Sequence, residues 1–269
     1  MTTPTDATVP PEVLQAFACE GNPRRLTGGE GRSYRVGDTV LKPVDDVIRY
    51  AWTAALTAQL HNDSFRISQA RRTRSGALAC QGWGATVFEP GAEIRGRWDE
   101  KLAVCRDLHR VMAGVMRIPL PDSDDQWTQA HAIAWQEVDP PQALHADTHQ
   151  LLAPVFGAYA PMARGGDVIH SDMCGNVLFA EDLPPLVIDF SPARGVADYA
   201  DAILVADAIA WEQSPITLLD ALPLTHTYRQ LLLRAVAFRV ITIALLFPQT
   251  PERARSEFDH YAPIVQQLS

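Results

Sequence analysis

The sequence predicts an α+β chain of two lobes, a small β-rich N-terminal lobe over residues 1–90 and a larger, mostly helical C-terminal lobe over residues 91–269. Three observations carry this reading. The first third of the chain breaks into short apolar runs punctuated by glycine. Glu89-Pro90-Gly91 then interrupts the pattern and reads as a linker. Beyond it, apolar residues recur at helical spacing. A chain of 269 residues is long enough for one large domain or two lobes, and buries a core without disulfides or a structural metal.

In order along the chain, Ser33-Tyr34-Arg35-Val36 and Thr39-Val40-Leu41-Lys42 flank Gly37-Asp38, which predicts a two-residue hairpin. Asp45 or Asp46 caps a helix running to about Leu60, with Ile48, Trp52, Ala55 and Leu56 on one stripe. Strands are expected over Phe65 to Ala70 and Ala77 to Phe88. Past the linker, Leu102, Cys105, Leu108, His109 and Met112 place a helix over Asp99 to Val115, with His109 packed in the core. Further helices are expected over Leu151 to Met162, Ala200 to Trp211 and Thr225 to Phe247. One island of strand, Val168 to Phe190, interrupts them, and its two apolar strands are read as a hairpin around Pro184-Pro185.

Composition narrows the function classes. With 23 basic against 32 acidic residues the net charge is −9, and a phosphate-backbone binder needs a basic face instead. Cys19, Cys80, Cys105 and Cys174 have no metal-like spacing and read as reduced thiols. The opening MTTPTDATVPPEVLQAF lacks the basic end and apolar run of a signal peptide. The most apolar stretch, Leu231 to Phe247, is broken by Arg234 and Arg239 and reads as a buried helix. These features predict a cytoplasmic protein with neither a membrane nor a nucleic-acid partner.

The chemistry concentrates in the island. In Val168-Ile169-His170-Ser171-Asp172-Met173-Cys174-Gly175-Asn176, the asparagine opens the first strand, while Asp189 closes the second. Hairpin pairing brings these two ends together. An amide oxygen and a carboxylate are hard oxygen ligands suited to Mg²⁺. Asp172 sits just upstream, where it faces whatever the metal holds. In the first lobe, the glycines of Thr27-Gly28-Gly29-Glu30-Gly31-Arg32-Ser33 let backbone N–H groups approach phosphate. Lys42, in an apolar strand, calls for an anionic partner.

This order of glycine-rich loop, strand lysine, linker, His-x-Asp…Asn and hydrophobic-Asp-Phe resembles the protein-kinase-like fold. Val-Ile-His-Ser-Asp-Met-Cys-Gly-Asn-Val-Leu-Phe with Val-Ile-Asp-Phe is more similar to its aminoglycoside phosphotransferase branch, whose members phosphorylate hydroxyls of small molecules. The resemblance covers roughly Leu26 to Trp211. It implies ATP (or another nucleoside triphosphate) and Mg²⁺ as cofactors, with a small-molecule hydroxyl as acceptor. By position, it makes Asp172 the catalytic aspartate and Asn176 and Asp189 the metal-binding residues. Lys42 becomes the lysine on the α- and β-phosphates, and Gly28, Gly29, Gly31 and Ser33 the phosphate-covering loop. The backbone of Val87 and Glu89 would bind adenine, and His170 would brace the catalytic loop.

Departures from the pattern are visible. Asp172 to Asn176 spans four positions where the usual loop spans five, Ser171 stands where the branch has glycine, and Ser191 follows Asp189-Phe190. The helix from Asp46 to Leu60 has no glutamate for Lys42, so Asp45, Asp46, Glu30 or the phosphates alone would hold it. A mobile lysine is the expectation, and a nucleotide-binding scaffold without transfer is the competing function class. Asp198 and Asp201 read as helix N-terminal residues. His145 and His149 read as solvated, in a loop set by Pro140-Pro141. Of C-terminal acids only Glu252, Glu257 and Asp259 are available, beside Arg253 and Arg255. That points away from a polycationic acceptor and toward a less charged hydroxylated natural product, antibiotic or metabolite.

Overall fold

The structure is a computed structural model and describes residues 9–26, 31–115, 119–141, 144 and 146–268. The chain forms two compact units. One holds the described residues up to Ala92 with Val115–Pro121 and Leu178–Asp189; the other holds Glu93–Gly114, Asp122–Val177 and Phe190 onward.

In the first unit, β1 (Arg24–Arg25), β2 (Tyr34–Val36), β3 (Thr39–Pro43), β5 (Ala79–Cys80) and β6 (Trp83–Val87) form a five-stranded sheet in the order β1-β2-β3-β6-β5. The β2–β3 hairpin turns at Gly37, whose φ of +59° is one that glycine adopts without strain. Alternation along β3 buries Thr39 and Leu41 on the core face and turns Val40 and Lys42 to the other. The short helix α1 (Pro11–Ala16) packs Val13 against Val36, Leu41 and Ala85 on that core face.

Helix α2 (Val47–Thr57) begins where expected, with the Asp46 carboxylate accepting from Arg49 N–H at 2.9 Å. It buries Trp52 and Leu56. Tyr50 on this helix donates its hydroxyl to the Ala85 carbonyl at 2.8 Å and lies over Gly84, the ladder partner of Lys42. A Cβ at Gly84 would stand 2.6 Å from the Tyr50 ring, so glycine is required there by space. Gly84→Ala should therefore cost about 1–3 kcal/mol of stability, the usual penalty of overpacking. Thermal melting of Gly84→Ala and of Gly84→Ala/Tyr50→Ala checks this, because removing the ring should relieve the clash.

The expected long strand Ala77 to Phe88 is two strands, split by a turn at Gln81 and Gly82 with φ of +49° and +74°. The expected strand Phe65 to Ala70 is reduced to β4 (Arg66–Ile67), which leaves the five-stranded sheet and pairs in parallel with β10 (Leu183–Val187). Arg66 fixes that register by donating to the Pro184 carbonyl at 3.0 Å and to Glu89 at 2.9 Å. A second sheet runs β4-β10-β9-β7, with β9 at Val177–Ala180 and β7 at Ala92–Glu93. The β9–β10 turn lies at Glu181-Asp182, with Asp182 at φ +57°, and the two prolines lie inside β10. Proline's fixed φ suits an extended segment, and aspartate tolerates the left-handed turn.

The second unit is helical: α3 (Trp98–Met112), α4 (Gln126–Ala134), α5 (Ala146–Gly157), α6 (Ala197–Trp211), α7 (His226–Leu246) and α8 (Pro251–Leu268). A two-stranded ribbon of β8 (Val168–His170) and β11 (Pro192–Arg194) accompanies them. Helix α7 is buried on nearly all sides from Tyr228 to Thr242, as its apolar run requires. Helix α5 starts and ends five residues before the expected Leu151 to Met162, so His149 lies on a helix rather than in a loop. His145 lies outside the described residues. Helices α1, α4 and α8 and strands β1, β7 and β11 are absent from the sequence reading. Among the described residues no helix is long and apolar enough to cross a membrane.

Candidate active site

Two constellations gather the sequence-predicted residues, one within each unit. In the first, Lys42 donates from Nζ to Asp189 Oδ1, and both side chains are partly buried. This corrects the expectation of a mobile lysine: the carboxylate missing from α2 is supplied by Asp189, two residues past the end of β10. Asp189 sits at φ +46°, a left-handed conformation that costs energy in a residue with a side chain and is retained where the surroundings enforce it. Tyr50 of α2 lies over Gly84, the ladder partner of Lys42. Burial, with the Asp189 charge as a smaller contribution, pushes its phenol up to about 12, so it acts as a neutral hydroxyl.

Gly28 and Gly29 lie outside the described residues. Gly31 has φ +65°, and its carbonyl accepts from Arg25 Nε. The Ser33 carbonyl accepts from Leu26 N–H at 2.9 Å. Val87 ends β6 with its N–H committed to the Gln69 carbonyl at 2.9 Å, and the Glu89 side chain pairs with Arg66.

In the second unit, the segment Ser171 to Asn176 is braced from below by two buried histidines. His109 Nδ1 lies 2.7 Å from the Cys105 carbonyl, and its Nε2 accepts from His170 N–H at 3.1 Å. Those partners fix the neutral tautomer with the proton on Nδ1, and burial pulls the ring's pKa down in agreement. His170 Nδ1 in turn accepts from Asp172 N–H at 3.2 Å and from Ser191 N–H at 3.4 Å. Ser171 fills the place of the expected glycine by donating to the Ser191 carbonyl at 3.2 Å. The loop shortened by one residue closes on itself. Asn176 Nδ2 donates to the Asp172 carbonyl at 2.7 Å and to Asp172 Oδ2 at 3.0 Å, which leaves the amide oxygen as the other pole of that side chain.

Asp172 lines a cavity of about 280 Å³. Its Oδ1 accepts from Arg239 Nη2 at 2.7 Å. Arg239 also donates from Nε to Asp207 Oδ1 at 3.0 Å, and Nη2 reaches Asp207 Oδ2. Asp207 accepts from the Tyr261 hydroxyl at 2.7 Å, and Tyr261 from Trp211 Nε1 at 3.1 Å. Burial opposes the guanidinium charge, but the Asp207 and Asp172 carboxylates outweigh it and hold the Arg239 pKa well above its ordinary value. Trp127, Trp211 and Glu257 also line the cavity. Lys101, fully buried on α3, pairs with Glu212 and donates to the Cys174 carbonyl at 2.7 Å, tying α3 to this same loop.

Burial, with the Asp207 charge adding to it, pushes the Glu257 carboxyl up to about 7 from an ordinary 4.5. Between those values the folded protein holds a proton that the unfolded chain has released, so this group's contribution to stability falls as pH rises through the window. Glu257→Gln should flatten the dependence of melting temperature on pH between about 4.5 and 7 relative to the native chain. An unchanged slope would show that Glu257 titrates at its ordinary value.

Sequence reasoning missed Arg239, Asp207, Tyr261, Lys101 and Glu212. The signal was present for Arg239: a charge inside the apolar run Leu231 to Phe247 must have a buried counter-charge. Asp201, expected only to begin a helix, is buried and pairs with Arg106 at 2.7 Å.

No protein-family model matches the chain, and neither does any curated protein. Solved structures do. Choline kinase LicA from Streptococcus pneumoniae aligns over 96% of each chain at 12% identity, with a TM-score of 0.61. Aminoglycoside phosphotransferase APH(4)-Ia aligns over 95% of this chain and 96% of its own at 16% identity and a TM-score of 0.57. The AMP-bound spectinomycin phosphotransferase APH(9)-Ia aligns over 96% of each chain at 12% identity and a TM-score of 0.53. At these identities the likeness establishes architecture: the chain has the protein-kinase-like fold shared by the choline kinase and the two phosphotransferases.

Proposed function

We propose that this protein is an ATP- and Mg²⁺-dependent phosphotransferase acting on a hydroxyl of a small molecule. The observation that carries the reading is the Asp172 carboxylate, fixed by donors on both oxygens and facing a cavity of about 280 Å³ walled by Trp127 and Trp211. A structural neighbour, APH(4)-Ia, is known in a ternary complex with ADP and hygromycin B, which supports nucleotide and small-molecule use here.

In the proposed reaction the acceptor hydroxyl oxygen forms a bond to the γ-phosphorus. The bond from that phosphorus to the β–γ bridging oxygen breaks, and ADP leaves. Asp172 orients the hydroxyl and accepts its proton. Lys42 takes the α- and β-phosphates, exchanging its Asp189 partner for phosphate oxygens. Asn176, whose amide nitrogen is already engaged with Asp172, has its amide oxygen left as a hard donor, and Asp189 offers a carboxylate; these are the oxygen types that would hold Mg²⁺. The metal when bound neutralises charge developing on the phosphates. By the same resemblance Gly28, Gly29, Gly31 and Ser33 would cover the phosphates, and the backbone of Val87 and Glu89 would bind adenine.

Charges around the cavity bear on the acceptor. Asp172 and Asp207 share the one guanidinium of Arg239, Lys101 matches Glu212, and Arg95 stands beside Glu93 and Glu257, so these five acids exceed the three cations by two charges. An excess of two, with each acid but Glu93 and Glu257 held by a buried cation, falls short of the acidic wall that a polycationic acceptor calls for. It suits a less charged hydroxylated natural product, an antibiotic in resistance or self-protection, or a metabolite. The four free thiols suit a reducing cytoplasm.

The test is a panel of hydroxylated compounds scored for an ATP-dependent mass gain of one phosphoryl group. Calorimetry with ATP in the presence and absence of Mg²⁺ accompanies it. ATP should bind more tightly with the metal, and Asp189→Ala should abolish the difference, while Lys42→Ala should weaken ATP binding in both conditions. ATP binding with no mass gain across the panel would favour the nucleotide-binding scaffold instead.

A further inference from the structure

We propose that Arg239 is a positioning residue that sets the orientation of the Asp172 carboxylate; the inference rests on the transferase reading above. A carboxylate on a loop turns freely about its side-chain bonds unless donors hold both oxygens. Asn176 holds Oδ2 at 3.0 Å from four residues away on the same loop. Arg239 holds Oδ1 at 2.7 Å from α7, 67 residues further along the chain. An ionised carboxylate oxygen has two lone pairs, so each oxygen retains capacity to accept from an acceptor hydroxyl.

The guanidinium is itself held in place from several directions. Its Nε and Nη2 grip Asp207 on α6 as a fork, and Asp207 is fixed by Tyr261 on α8, which takes the indole N–H of Trp211. The rings of Trp127 and Phe238 lie 5.7 and 5.1 Å from its central carbon. Three helices therefore converge on one guanidinium that ends at Asp172. Only arginine fits, because its planar fork reaches two carboxylates at once, whereas a lysine ammonium is a single point charge. The competing account is that Arg239 only neutralises buried Asp207. The two accounts diverge in what a lysine at this position would preserve.

The experiment uses the full chain with Arg239→Lys, backed by Arg239→Ala. Lysine should keep the Asp207 pair and the fold, with melting temperature and ATP affinity close to native, while releasing Asp172. The side-chain NH₂ resonances of Asn176, assigned with Asn176→Asp, should then move, because their acceptor is no longer fixed. Turnover on an acceptor from the panel should fall about 100-fold at unchanged KM for ATP, the scale expected when a reacting group is misplaced by about 1 Å. Millimolar guanidinium should restore part of the turnover of a folded Arg239→Ala, and sodium chloride at equal ionic strength should not. If Arg239→Ala does not fold, Arg239→Lys carries the test alone. Unmoved Asn176 resonances, or native turnover in Arg239→Lys, would overturn the proposal. If the native chain transfers no phosphoryl group to any acceptor, the transferase reading fails by itself, and the Asn176 resonances still decide whether Arg239 holds Asp172.

Discussion

Asp172→Asn should lower turnover by about 10²–10⁴-fold, the usual worth of a positioned general base, while leaving ATP affinity nearly unchanged. The substitution preserves volume and one acceptor oxygen and removes the charge. The retained oxygen goes to Arg239, the charged donor, because charge-assisted hydrogen bonds are the stronger ones. The new amide nitrogen then meets Asn176 Nδ2, donor against donor. Asn176 keeps its orientation through its second acceptor, the Asp172 carbonyl at 2.7 Å, so the proposed metal oxygen stays in place. Arg239 keeps Asp207 and is not left as an unpaired buried charge. The expected signature is a loss in turnover alone, read by single-turnover kinetics beside calorimetric ATP binding and thermal melting. A purely turn-forming Asp172 would instead lose stability and ATP binding together. A folded variant with near-native turnover would remove Asp172 from the chemistry.

What the sequence revealed was local, and what it concealed was distant. Lys42 was legible because a lysine in an apolar strand is costly without an anion, and Asp172, Asn176 and Asp189 because they share one short hairpin. The identity of the lysine's partner was not legible, since Asp189 lies 147 residues further along the chain. Arg239 and Asp172 are separated by 67 residues, and Lys101 and Glu212 by 111, so neither pair leaves a spacing signal. The β9–β10 turn was misplaced for a different reason. Pro184-Pro185 is the stronger turn dipeptide, but a two-residue turn needs left-handed φ, which Asp182 adopts at +57° and proline cannot. Helix α8 escaped because Pro263 lies inside it and its buried stripe, Ala254, Tyr261, Ile264 and Val265, is sparse.

Lys101→Met should destabilise the protein by about 3–5 kcal/mol, because it strips the counter-charge from a nearly buried carboxylate. Lys101 is fully buried and its carboxylate partner, Glu212, is nearly so. At about 2–4 °C per kcal/mol the melting temperature should fall by roughly 6–20 °C. Lys101→Met/Glu212→Gln separates the two roles of the lysine. Glutamine removes the stranded charge and retains an oxygen for Gly96 N–H, which Glu212 accepts at 3.1 Å. Replacing both members of a buried pair by neutral groups of similar volume is often nearly neutral for stability, so most of the lost melting temperature should return. Turnover should not return with it. The ammonium also donates to the Cys174 carbonyl at 2.7 Å, midway between Asp172 and Asn176, and methionine offers no donor to replace it. A double variant that is stable yet slow would show that Lys101 acts on the geometry of the loop. Full recovery of turnover with stability would show that Lys101 serves the fold alone.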